Sequence, residues 1–137
     1  LRDRLRAEGL LGREVVLLSF SVDPEKDTPE TLQAYAQRVG ADAATWHFLT
    51  GPAEAVREVV EQGFKLGFQQ VSAQIEHVHP DGTSHTHDYD VVHTNRFVLI
   101  DRQGRVRANI DGVFDWDTEK AVKAIRRLAS ERPPPTW

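Results

Sequence analysis

The run Val15-Val16-Leu17-Leu18-Ser19-Phe20-Ser21-Val22 constrains the fold more than any other stretch. It is nearly all apolar and partly β-branched, the pattern of a strand in a parallel sheet whose two faces are both covered by helices. It stops at Asp23-Pro24, where the proline ring removes a donor and bars regular pairing. A parallel strand requires a crossover, and the chain supplies one. Thr28 can cap a helix that has Pro29 at its first position, and Leu32, Tyr35, Ala36 and Val39 form its inward stripe up to Gly40. Trp46 to Thr50 reads as a second short strand. Gly51-Pro52 then opens another helix, with Ala53, Val56, Val59 and Val60 inward and Gly63 at its end.

The two ends of the chain extend this alternation. Leu1 to Leu10 reads as the end of a helix closed by Gly9 and Gly12. Phe97 to Ile100 is a short apolar run, followed by the turn Asp101-Arg102-Gln103-Gly104 and by Val106, Ala108 and Ile110 alternating with polar residues, as in a half-exposed return strand. A last helix begins near Asp115 or Asp117, carries Val122, Ile125, Leu128 and Ala129 on one stripe, and ends before Pro133-Pro134-Pro135. Helix, strand, helix, strand, helix, irregular insert, hairpin, helix is the order of an α/β layer fold with a mixed sheet.

Composition narrows the chemistry. The chain has 137 residues and a formal net charge of −4, which suits one domain and offers no basic stripe for nucleic acid. No apolar run is long enough to span a membrane. There is no cysteine, hence no disulfide frame, thiol nucleophile or thiolate ligand, and no methionine, so residue 1 is not a start codon. No Gly-rich phosphate loop, nucleophile–base pair or carboxylate pair suited to acid–base work is present. Asp23 and Asp27 read as turn and cap residues, Trp46, Phe48, Phe64 and Phe68 as core, His47 as exposed, and Arg126-Arg127 as a solvated helix face.

Two histidine features remain. His93 stands just before the Phe97–Ile100 strand, where a rigid hairpin can hold a loop side chain in place. The stretch Glu76-His77-Val78-His79-Pro80-Asp81-Gly82-Thr83-Ser84-His85-Thr86-His87 carries four more around a Pro-Asp-Gly turn. If His79 lies opposite His85, then His77 lies opposite His87, and all four imidazoles share one face able to take Cu(II), Ni(II) or Zn(II). A slip of one residue would put the pairs on opposite faces. The competing reading is a polar loop rich in histidine by composition only.

Three segments together carry a resemblance. Ser21-Val22-Asp23-Pro24-Glu25-Lys26-Asp27-Thr28-Pro29-Glu30, Trp46-His47-Phe48-Leu49-Thr50-Gly51 and His93-Thr94-Asn95-Arg96-Phe97-Val98-Leu99-Ile100-Asp101-Arg102-Gln103-Gly104 resemble, in order and spacing, segments of the Sco/SenC family. The resemblance implies a thioredoxin-like, three-layer fold with a mixed sheet over residues 1–132, carrying a His-rich insert at 70–92 and followed by a loose Pro-rich tail at 133–137. It implies copper as the bound metal and a chaperone role in assembling the copper centre of cytochrome c oxidase. The implied partners are the copper-accepting oxidase subunit and copper donor proteins. The implied location is periplasmic or otherwise extracytoplasmic, with an anchor outside this chain. Some members are credited with thiol–disulfide exchange. The family's ligands are two cysteines of a Cys-x-x-x-Cys motif and one histidine, which carries over onto His93.

Several departures qualify this. The cysteine segment and the strand leading into it are absent, so the domain is expected to be incomplete at its N-terminus. Val92 stands where many members have an acidic residue. A single imidazole does not hold a metal against water, and without a thiolate no disulfide can be attacked. Copper handling by residues 1–137 alone is therefore expected to be inactive. The alternative is a non-thiol module, binding divalent metal or a protein through the His-rich loop; a thiol enzyme on the same fold is opposed by the missing cysteines.

Overall fold

The computed structural model describes residues 1–78 and 84–131, with the backbone alone for residues 68 and 70–92. Helix α1 (Arg2–Ala7) leads to β1 (Leu17–Phe20), α2 (Pro29–Arg38) and β2 (Trp46–Leu49). Helix α3 (Ala53–Arg57) continues as a π-helical turn over Glu58–Gly63. Strands β3 (Phe68–Val78), β4 (Ser84–His93), β5 (Arg96–Ile100) and β6 (Val106–Asp111) follow, then α4 (Asp115–Ser130).

The helix signals work as the residues dictate. Thr28 caps α2 by accepting from the Thr31 N–H at 3.3 Å, with Pro29 in the first turn. Helix α4 has Phe114 at its N-cap, which offers no side-chain acceptor. Asp117 reaches back instead and accepts from the Phe114 N–H at 3.1 Å, the reverse half of a capping box. Gly104, at φ +77°, closes the β5–β6 turn.

The strands form three separate two-stranded sheets among the described residues: β1–β2 parallel, β3–β4 antiparallel and β5–β6 antiparallel. The mixed set of directions is as expected, but β1 and β5 exchange no ladder bonds. They meet at one core all the same. Leu5, Leu10, Val122 and Ile125 form its buried centre, and Leu17 and Leu99 both pack against it. A cavity of about 110 Å³ lies beside it, bordered by Val15, Leu99, Ile100, Ile125 and Leu128.

Other expectations require correction. The 70–92 insert is not irregular: most of it pairs as the β3–β4 ribbon, whose two strands flank a Pro-Asp-Gly sequence. Strand β1 is not covered on both faces, since Val16 and Leu18 are each 48% exposed. The α2 stripe buries nothing fully; Tyr35 remains 42% exposed, touching Phe48 edge-on at 5.6 Å between ring centroids. On α3 and the π-helical turn, Val56 and Val60 are buried but Ala53 and Val59 are exposed. Arg126 is not merely solvated: it grips the Glu8 carboxylate in a fork, with one contact at 2.7 Å, and ties α4 to α1. The 133–137 tail lies outside the described residues.

Candidate metal centre

His93 is the last residue of β4, and only Thr94 and Asn95 separate it from β5. Its Cα partner across the ribbon is Phe68. The ring is exposed, and Nδ1 lies 3.4 Å from the Thr94 carbonyl oxygen. In the tautomer with the proton on Nδ1, the ring donates to that oxygen and Nε2 keeps its lone pair, the arrangement by which a backbone carbonyl orients a metal-ligating histidine. The linker is fixed from the other side. The Asn95 carbonyl accepts from the Gly112 N–H at 2.9 Å, and Arg96 pairs with Asp111 at 3.0 Å.

The histidine ribbon has a different register from the expected one. His77, not His79, is the Cα partner of His85, and His87 is opposite Ile75. The difference is two residues, so the common face of positions 77, 85 and 87 survives it. His79 lies outside the described residues. An extra residue on β3 between Ser72 and Ile75 shifts the register nearer His93. Among the described residues no three His, Asp or Glu side chains gather around a common point.

Asp23 and Asp27 serve the turn after β1. Ser21 Oγ donates to Asp27 at 2.6 Å and accepts from the Asp23 N–H at 3.0 Å, and Lys26 lies 3.7 Å from the Asp23 carboxylate. Nearby, the Thr50 hydroxyl is buried without a hydrogen-bond partner among the described residues. His47 is exposed, as its alternation with Trp46 and Phe48 implies.

Two features escaped the sequence reading. Asp101, read only as a turn residue, is a hub: it accepts from the Gln103 and Arg105 N–H groups at 2.9 and 3.0 Å, from Arg105 Nε at 2.8 Å and from Arg107 at 3.2 Å. Burial opposes its ionisation, but these bonds, led by the Arg105 main chain and side chain, outweigh burial and hold the carboxyl well below the usual range. The second feature is an apolar surface beginning one residue after Gly112. Val113, Phe114 and Trp116 are 60%, 53% and 59% exposed, and the two rings stack at 4.3 Å. The only sequence signal was two large aromatics flanking the acidic start of α4.

These features describe an α/β domain that presents one oriented imidazole at a strand junction. The SCO1/SenC family model matches residues 1–130. The chain belongs to the SCO1/SenC family. It is 30% identical over 131 residues to the SCO1 protein homolog of Bacillus subtilis (strain 168), covering 95% of this chain and 59% of that protein. It thus spans less than two thirds of that relative's length. The fold is the thioredoxin-like one of this family's solved structures. A SCO1/SenC family lipoprotein from Bacillus anthracis str. Ames matches with a TM-score of 0.69 at 28% identity, over 94% of this chain and 67% of that one. BsSco, described as having a disulfide switch and as a member of the Sco family of cytochrome c oxidase assembly proteins, gives 0.67 at 26% identity, over 95% and 66%. Bradyrhizobium japonicum ScoI, solved with copper bound, gives 0.56 at 26%, over 81% and 60%.

Proposed function

We propose that this chain is the larger part of a copper chaperone domain acting in cytochrome c oxidase assembly, and that His93 is its contribution to the copper site. The carrying observation is the placement of His93: exposed, at the β4–β5 junction, with Nδ1 directed to the Thr94 carbonyl so that Nε2 is available to an ion. Copper is cargo here, to be accepted and passed on. The copper-bound ScoI structure and the family match support that choice.

The residues present do not complete such a site. Cu(I) is soft and favours thiolates, and residues 1–137 contain none. The two thiolates of this reading would come from outside these residues, as would the anchor that keeps the domain extracytoplasmic. The lipoprotein description of the Bacillus anthracis relative supports that location. No helix among the described residues is long and apolar enough to cross a membrane. The same absence of cysteine leaves this chain without a nucleophile for thiol–disulfide exchange.

His93→Ala in the full-length protein tests the assignment. Loss of an outer-shell partner alone costs about 10–100-fold in metal affinity, so loss of a ligand should cost more than about 100-fold. It should also remove an imidazole nitrogen from the Cu(II) electron paramagnetic resonance spectrum. Unchanged affinity with an unchanged spectrum would overturn the role given to His93.

A further inference from the structure

The proposed copper chemistry makes no use of the β3–β4 ribbon. Its register pairs position 77 with 85 and position 75 with 87. Opposed residues of an antiparallel pair share a face, as do residues two apart on one strand. Histidine positions 77, 85 and 87 therefore fall on a single face, with Ile75 as the fourth member of the quartet. Opposed Cβ atoms on such a ribbon lie about 4.5–5.5 Å apart, and the next position along the strand about 7 Å away. That is the spacing at which imidazoles, each about 2.0–2.1 Å from an ion, can share it.

We propose that this face is a second metal site, separate from His93. His77 and His85 form its cross-strand pair and His87 its third position. With no thiolate and no carboxylate at these three positions, the chemistry is that of neutral nitrogen ligands, which suits Zn(II), Ni(II) or Cu(II) and not soft Cu(I). Register, and not histidine content, is what makes the site. Glu76 and its partner Thr86 occupy the opposite face, so a histidine moved by one residue is lost to it.

The test is calorimetric titration of the full-length protein, its thiols blocked by alkylation so that the His93 site cannot take up the ion, with Ni(II) and with Zn(II). His85→Ser should weaken binding at least tenfold. So should the double change Glu76→His with His77→Ser, which keeps the histidine count and moves one imidazole across the ribbon. His93→Ala should leave these titrations unchanged, which separates this site from the copper role of His93. Far-ultraviolet circular dichroism on each variant verifies that the ribbon is retained. Equal affinity in the double variant would show that histidine content alone binds the ion, and loss of binding in His93→Ala would show one site instead of two. Either result overturns the proposal.

Discussion

Asp101 carries four hydrogen bonds on a carboxylate whose side chain is 6% exposed, and it links the β5–β6 turn to Arg107, which in turn grips Glu131 beyond the end of α4 at 2.9 and 3.0 Å. Its folded-state ionisation lies below that of an unfolded aspartate, about 3.9. The unfolded chain therefore takes up the proton first. The stabilisation is present in full above that value and is lost as pH falls below it towards the folded value. Asp117, opposed by burial but held down by Lys120 at 3.1 Å and the Phe114 N–H, acts in the same direction. Asp101→Asn should lower the thermal midpoint at pH 7 and make its decline below pH 4 shallower, without abolishing it. Parallel melts of the two proteins between pH 7 and pH 2.5 would show this; identical acid limbs would remove Asp101 from the account.

At the scale of elements, α1 is joined to α4 through the buried centre of the core. Leu5 is fully buried and meets Val122 and Ile125, while Glu8 and Arg126 close the exposed side. Leu5→Ala should cost about 2–5 kcal/mol, the range for a buried leucine that leaves a cavity. Trp116→Ala, on an exposed ring, should fall within about 0.5 kcal/mol. Chemical denaturation of both variants checks the contrast. Element positions were legible because local chemistry sets them: the Thr28-Pro29 cap, the glycine stops and the Asp101–Gly104 turn act within a few residues. Faces were less legible. The apolar run at Val15–Val22 reads the same whether its outer side is covered, as expected, or open, as at Val16 and Leu18, because coverage depends on distant chain. For the candidate site, the position of His93 was readable from its strand. The register of the histidine ribbon was not: the sequence admits His85 opposite either His77 or His79, and the bulge between Ser72 and Ile75 shifts only the part nearer His93.

The whole molecule is under-buried. Its accessible surface is 9840 Å², against about 7,200 Å² for a folded monomer of 15.5 kDa by the usual size scaling. The difference exceeds the roughly 1,200–2,000 Å² buried in a standard protein–protein interface. Part of it is apolar: Val16, Leu18, Ile100 and Val106 are exposed, and β1 and β5 each have one edge without a strand partner among the described residues. Unpaired apolar edges recruit other strands. Residues 1–137 expressed alone should self-associate, giving light scattering and a concentration-dependent melt. A monomer with a single concentration-independent transition would show that these edges are satisfied within the chain.

The strand-end position of His93 has a consequence for traffic of ions. Position 85 is eight residues back along β4, about 26 Å at the usual rise per residue. An ion at one place is beyond ligand exchange with the other. A singly and a doubly charged ion so far apart in water repel by only about 0.3 kcal/mol, before salt screening reduces it further. For the two proposed sites, filling one end of β4 should therefore leave the affinity at the other end unaltered, with the strand as a spacer between them.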